Sequence, residues 1–220
     1  MSALKLAIGN KNYSSWSMRP WLAMRANNIP FEEIFIPLYT DNRADKERII
    51  SFSRAGKVPV LVDGDVTVWD SLAIIEYLAE SFPEAKLWPE DRADRAYARS
   101  VCSEMHSGFM ALRRECSMNL HRPVRPVKLS VDAQADVARI EQVWLECQER
   151  YGASGPFLFG HFGAADAMFA PVVHRFRTYA IEVAPRAKVY METMMSLPAF
   201  QEWTKGALAE TLIIKRFESM

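Results

Sequence analysis

The chain has 220 residues, half of them hydrophobic, with 27 basic and 27 acidic side chains. This length can bury one large core or two small ones. The balanced charge argues against a nucleic-acid or anionic-membrane partner, because both attract an excess of Lys and Arg. No apolar run approaches the roughly 18 residues of a membrane span, and the N-terminus lacks the apolar core of a signal peptide. We therefore expect neither a membrane nor a nucleic acid as partner.

The cysteines indicate the compartment. Cys102, Cys116 and Cys147 are an odd number and lack the spacing of metal ligands. This pattern argues against a disulfide framework and fits a reducing environment. We therefore predict a cytoplasmic protein without disulfides and without a metal.

The first third of the chain alternates between strand and helix patterns. The patterns predict a strand over Leu4–Gly9, a helix over Ser17–Asn27, a strand over Phe31–Leu38 and a short polar helix over Arg43–Ser53. This βαβ order predicts a parallel pair of strands joined by a helix.

A hairpin and a helix follow in the segment Lys57–Leu78, which reads KVPVLVDGDVTVWDSLAIIEYL. Two β-branched runs flank Asp63 and Gly64, which is a strong hairpin signal, and a helical period then begins at Asp70 and Ser71. Free N–H groups at a helix N-terminus bind carboxylates, and the Ser71 hydroxyl adds a further donor. The simpler interpretation is that Ser71 only caps the helix.

Pro59 stands at the start of the first hairpin strand, where a missing N–H group is tolerated. A cis bond between Val58 and Pro59 would turn the Val58 backbone outward and offer its N–H and C=O to a peptide-like ligand. Without such a ligand, the segment is simply a hairpin and a helix of an α/β core.

Beyond Phe82 the chain becomes all helical. We predict an α/β domain over residues 1–82, a proline-containing linker over 83–91 and an all-helical domain over 92–220. The apolar periodicity predicts helices over Asp91–Ser117, Asp132–Tyr151, Ala165–Ile181, Met191–Ser196 and Ala199–Leu208, followed by a tail over Thr211–Met220.

Hydroxyl side chains concentrate after the first strand, where Tyr13, Ser14, Ser15 and Ser17 precede a helix. A helix N-terminus favours an anion such as a thiolate, but the loop has no thiol of its own for disulfide exchange. A Ser-His-Asp hydrolase is disfavoured, because the nucleophile elbow is absent and all four histidines follow residue 100. Taken alone, Ser15 or Ser17 would cap the helix.

Four segments together resemble the glutathione S-transferase family over nearly the whole chain: YSSWSMRPW, KVPVLVDGD, DSLAIIEYL and GPFLFGHFGAADAMFAPVV. The resemblance implies a thioredoxin-like domain followed by an all-helical domain, a homodimer, and glutathione as the co-substrate. It implies a cis bond at Pro59 and pairing of Val58 with the cysteinyl part of glutathione. It also implies that Asp70 and Ser71 hold the γ-glutamyl end and that Lys57 reaches the glycyl carboxylate.

The double serine followed by Arg19 resembles the zeta class, in which Ser-Ser-Cys precedes an arginine. The resemblance implies that Ser14 donates a hydrogen bond to the glutathione thiolate, with Ser15 as the second candidate. Tyr13 is a third candidate, because other classes use a tyrosine. Trp16 replaces the zeta-class cysteine, so the maleylacetoacetate isomerase activity of that class does not carry over directly.

The helical domain is expected to supply the pocket for a small hydrophobic electrophile. In this family the first long helix of that domain faces the cleft, which makes Met105, His106 and Phe109 candidate pocket residues, and Tyr13 of the N-terminal loop is a further one. A stripe of Met and aromatic side chains is more often core than pocket. We predict a glutathione transferase; the alternatives are a zeta-like isomerase and a non-catalytic glutathione-fold binding or assembly module.

Overall fold

The N-terminal part of the molecule is a four-stranded mixed sheet. The computed structural model describes residues 4–218. The strands are β1 (Leu4–Ile8), β2 (Phe31–Phe35), β3 (Val60–Asp63) and β4 (Val66–Trp69), arranged in the order β2-β1-β3-β4. β1 and β2 run parallel, whereas β3 is antiparallel to both β1 and β4. This topology confirms the predicted βαβ unit and hairpin.

Three helices accompany the sheet: α1 (Ser15–Ala26), α2 (Arg43–Phe52) and α3 (Ser71–Ser81). α1 begins two residues earlier than predicted, because Ser14 caps it and accepts a hydrogen bond from the N–H of Ser17. β2 ends at Phe35 rather than Leu38, because its partner β1 ends at Ile8, opposite Phe35.

Up to residue 218, the C-terminal part contains six α-helices: α4 (Arg92–Ser107), α5 (Met110–Glu115), α6 (Val131–Tyr151), α7 (Ala164–Thr178), α8 (Pro185–Ser196) and α9 (Pro198–Ala209). The prediction of one continuous helix over Asp91–Ser117 was wrong. Gly108 ends α4 by donating its N–H to the carbonyl of Glu104, and Phe109 adopts a left-handed conformation with φ 61°. A left-handed residue ends a helix, so α5 is a separate helix.

α8 begins at Pro185, six residues before the predicted start at Met191. A proline suits the first position of a helix, because its missing N–H has no partner there in any case. Within residues 4–218, none of the helices is both long and apolar enough to cross a membrane.

α7 is the central helix of the C-terminal part, as predicted. All of its residues except Arg177 are buried. At its start, the carboxylate of Asp166 accepts hydrogen bonds from the N–H groups of Leu158 and Gly163 and from the hydroxyl of Tyr190. Burial raises the pKa of Asp166 to about 6, although these three bonds favour the ionised form.

Candidate active site

The predicted thiol-binding serines lie at the N-terminus of α1, directly after β1. Ser14 and Ser15 are both buried, with 7% and 6% of their surface exposed. The Ser14 hydroxyl donates to the Ser17 Oγ at 2.8 Å, and the Ser17 Oγ also accepts the N–H of Gly9. Because a hydroxyl group rotates about its C–O bond, the Ser14 proton can turn from Ser17 to a ligand. The Ser15 hydroxyl and the backbone N–H of Trp16 have no hydrogen-bond partner within residues 4–218.

Tyr13 is engaged by the C-terminal tail rather than by this helix start. Its hydroxyl donates to Glu218 at 2.5 Å and accepts the N–H of Ile214 at 3.3 Å, and its ring stacks on Phe217. Burial and the neighbouring Glu218 raise the pKa of Tyr13, which makes it a poorer proton donor. These contacts disfavour Tyr13 among the three candidate thiol donors.

The bond between Val58 and Pro59 is cis, as predicted. The antiparallel register pairs Ala7 with Val60, so Val58 lies close to the end of β1 and to the serine-bearing loop. In the described part of the chain, the backbone N–H and C=O of Val58 have no hydrogen-bond partner. Lys57, just before it, is exposed. A free backbone edge therefore borders the N-terminus of α1.

Asp70, and not Ser71, caps α3. The Asp70 Oδ1 accepts the N–H groups of Leu72 at 2.9 Å and Ala73 at 3.3 Å. Ser71 is the first residue of the helix and is fully buried, and its Oγ accepts a hydrogen bond from Arg19 Nη1 at 3.3 Å. The interpretation of Ser71 as a mere cap was therefore wrong: its Oγ accepts from Arg19 and not from an N–H group of the helix.

The three pocket residues predicted in the helical part have different environments. Met105 and Phe109 belong to the hydrophobic core, with only 1% and 7% of their surface exposed. His106 is partly exposed, and its Nε2 lies 3.3 Å from Asp70 Oδ2. Burial lowers the pKa of His106, and Asp70 only partly opposes this shift. His106 therefore brings the helical part next to the residue that caps α3.

Trp16 is an exposed residue of the site, and two arginines contact its ring. The guanidinium carbon of Arg19 lies 4.4 Å from the Trp16 ring centroid, and that of Arg113 lies 5.4 Å from it. The His106 ring meets Trp16 edge-on at 5.1 Å. Arg19 was expected only as part of a motif, and no role was predicted for Arg113. For Arg19, the available signal was a charged residue among the apolar positions of α1.

The chain matches the models of both domains of one family. The N-terminal domain of glutathione S-transferases matches residues 13–81, and the C-terminal domain matches residues 130–206. Glutathione S-transferase Z2 of Arabidopsis thaliana is 29% identical over 203 residues, which are 87% of this chain and 88% of that protein. A probable maleylacetoacetate isomerase of Caenorhabditis elegans is 28% identical over 192 residues, which are 85% and 87% of the two chains.

A solved structure shows the same fold. A glutathione transferase homologue from Burkholderia gl BGR1 with bound glutathione superposes with a TM-score of 0.71 at 24% sequence identity. The match covers 95% of this chain and 100% of the other. The mixed sheet followed by helices and the two matching domain models lead to one conclusion: the chain belongs to the glutathione S-transferase family and lies near its zeta-like members.

Proposed function

We propose that the protein is a glutathione transferase that activates the glutathione thiol for attack on small hydrophobic electrophiles. Membership of the family supports a glutathione-dependent activity in general. The observation that carries the finer proposal is the Ser14–Ser17 hydroxyl pair at the N-terminus of α1, beside the free backbone edge of Val58. A thiol donor and a peptide-binding edge are thus neighbours.

The proposed chemistry begins with ionisation of the thiol. A free thiol has a pKa of about 8.5 and is mostly protonated at neutral pH, whereas the thiolate is the nucleophile. Ser14 donates a hydrogen bond to the sulfur, and the N-terminus of α1 adds positive potential, so both favour the thiolate. The sulfur then forms a bond to the electrophilic carbon, and the leaving group departs with its electron pair.

The remaining contacts orient the tripeptide. Val58 pairs with the cysteinyl backbone, Ser71 binds the γ-glutamyl carboxylate and Asp70 binds the γ-glutamyl ammonium group. Lys57 reaches the glycyl carboxylate. Three observations support these assignments: Lys57 is exposed, the backbone N–H and C=O of Val58 are free, and Ser71 is not the cap of α3. The electrophile then lies on the side of Trp16 and His106, which are partly exposed.

A conjugation assay on a panel of electrophiles tests this proposal with Ser14→Ala and Ser15→Ala as a matched pair. We expect Ser14→Ala to lower kcat/KM by about tenfold or more and to raise the pKa of the bound thiol, because a hydrogen bond to a charged group is lost. Ser15→Ala should have a smaller effect. A Ser14→Ala protein with full activity would remove Ser14 from this role and leave Ser15 and Tyr13 as the candidates.

The same assay decides between an enzyme and a binding module. Retention of the wild-type protein on immobilised glutathione, without turnover of any electrophile, would favour the non-catalytic module. No retention and no turnover would reject glutathione as the co-substrate.

A zeta-like isomerase is the second candidate. It is favoured by the similarity to a probable maleylacetoacetate isomerase and by the paired Ser14 and Ser15. An isomerase returns its glutathione after each turnover, whereas a transferase consumes one thiol. Following maleylacetoacetate and free thiol together therefore separates the two activities.

A homodimeric state and a cytoplasmic location complete the proposal. The edge strand β4 exposes the large apolar side chains Val66 and Trp69, which supports association through this edge. The three cysteines are buried and free, which fits a reducing compartment.

A further inference from the structure

Arg19 is a cation in the hydrophobic interior, next to the proposed glutathione site. It has no exposed surface, and α1 carries it between the buried residues Met18 and Pro20. One nitrogen, Nη1, donates to Ser71 Oγ at 3.3 Å. The other two, Nε and Nη2, have no hydrogen-bond partner in the described part of the chain.

This environment disfavours a guanidinium. The salt bridges within residues 4–218 do not include Arg19. Burial lowers the pKa of Arg19, the like charges of Arg113 and Arg175 lower it further, and Asp70 opposes the shift. A buried charge without full pairing costs folding free energy. The Trp16 ring, 4.4 Å from the guanidinium carbon, offsets only part of this cost. An anion arriving at Ser71 gives the buried charge a further reason to be there.

We propose that Arg19 is a positioning residue for the γ-glutamyl carboxylate of glutathione and acts through the hydroxyl of Ser71. The inference rests on the glutathione-binding function proposed above. Because Arg19 donates to Ser71 Oγ, the Ser71 proton points away from Arg19 and is available to a carboxylate on the other side. The buried positive charge behind Ser71 strengthens this hydrogen bond in a medium of low dielectric constant.

A pair of ligands isolates the carboxylate. S-methylglutathione carries it, and the analogue with 4-aminobutyrate in place of the γ-glutamyl residue keeps the amine but lacks the carboxylate. Isothermal titration calorimetry gives the Kd of each ligand. We expect Arg19→Met to raise the Kd for S-methylglutathione by about tenfold or more and the Kd for the analogue by less than about twofold. Only the carboxylate of the first ligand contacts the Arg19–Ser71 pair.

A double-mutant cycle tests whether Arg19 acts through Ser71. Ser71→Ala alone should raise the Kd for S-methylglutathione by a similar factor. In the Ser71→Ala background, Arg19→Met should add less than about a further twofold, because the group that transmits its effect is already absent. Arg19→Lys, which retains a donor and the charge, should recover part of the lost affinity.

Thermal unfolding separates positioning from a structural role. Arg19→Met removes an incompletely paired buried charge at similar volume, so its midpoint should equal or exceed that of the wild type while affinity falls. Arg175→Met is the matched control. Arg175 is also buried, and its Nη1 likewise has no hydrogen-bond partner within residues 4–218, but its Nε donates to the carbonyl of Cys116 at 2.8 Å in the helical part. This variant should lower the midpoint and leave the Kd for S-methylglutathione within about twofold.

Three outcomes overturn the inference while leaving glutathione binding intact: unchanged affinity in Arg19→Met, equal losses for both ligands, or fully additive effects in the cycle. Equal losses would mean that Arg19 does not act on this carboxylate. If Arg19→Met fails to fold, Arg19→Gln and Arg19→Lys undergo the same comparison. If the wild-type protein binds neither glutathione nor S-methylglutathione, the proposed function fails, and this inference fails with it.

Discussion

At the scale of single residues, burial governs the protonation of His174 in α7. Its ring stacks on Phe200 at a centroid distance of 4.3 Å, and its Nε2 lies 3.4 Å from the Thr204 hydroxyl. Burial lowers the pKa of His174 to about 3, and Arg177 and Arg175 add to the shift. The folded protein therefore excludes a proton that the unfolded chain binds near pH 6.5.

This difference predicts a loss of stability in acid. Below pH 6.5 the unfolded state gains a proton on His174 and the folded state does not, so the free energy of unfolding falls as the pH falls. The contribution of His174 to this loss should approach about 1.4 kcal/mol per pH unit. Asp166, whose pKa is raised to about 6, opposes it in all three proteins compared below, because its folded form takes up a proton first. Urea unfolding of the wild type and of His174→Leu between pH 7 and pH 4 measures the contribution of His174. The variant should show a flatter pH profile, the exposed His161→Gln should keep the wild-type slope, and equal slopes in all three proteins would contradict the prediction.

At the scale of elements, the segment after α9, residues 210–218, binds the loop between β1 and α1 at two points. Glu210 accepts the N–H groups of Lys11 at 2.6 Å and Asn12 at 3.2 Å. Eight residues later, Glu218 binds the hydroxyl of Tyr13 and, at 3.0 Å, the side-chain amide of Asn119. The tail therefore restrains the loop that leads into the serine-bearing helix start.

Removal of residues 210–220 should loosen this loop. We expect kcat/KM to fall by about tenfold, because the thiol donor is no longer held in a productive position, and the thermal midpoint to fall by several degrees. Steady-state conjugation kinetics and thermal unfolding provide the measurements. Tyr13→Phe is the control: it removes one tail contact but should leave the pKa of the bound thiol unchanged. A raised thiol pKa in Tyr13→Phe would instead identify Tyr13 as the thiol donor.

At the scale of the whole molecule, the sheet part and the helical part share a core. Trp21 of α1 and Trp203 of α9 are both fully buried, with ring centroids 5.2 Å apart. α1 also packs against α7, and the indole N–H of Trp203 donates to the carbonyl of Lys11 at 3.1 Å. The proposed division at residues 83–91 therefore separates two architectures, but not two independent cores.

A shared core predicts one cooperative unfolding transition. Fluorescence and far-ultraviolet circular dichroism should give coincident denaturation curves. Residues 1–82 expressed alone should lack a cooperative transition, because α1 would no longer pack against α7 and α9. Trp203→Ala should lower the midpoint by several degrees through the cavity that it leaves. Two separated transitions in the full chain would show that the parts are stabilised independently.

The sequence predicted the elements that depend on nearby residues. The hairpin at Asp63 and Gly64, the helix after Asp70 and the central helix α7 follow from periodicity and turn residues that lie within about 20 positions of one another. The break at Phe109 was missed, because its apolar side chain continues the helical period and its left-handed backbone leaves no signal in that period.

The sequence by itself therefore determined the order of elements, the resemblance to the family and the residues from which the site is built. Only the tertiary structure decided how those residues are used. Ser71 accepts from Arg19, which is 52 positions away, and Tyr13 is engaged by Glu218, which is 205 positions away. Periodicity and capping depend on neighbours in the chain, whereas the partner of a hydroxyl and the burial of a charge depend on contacts between distant segments.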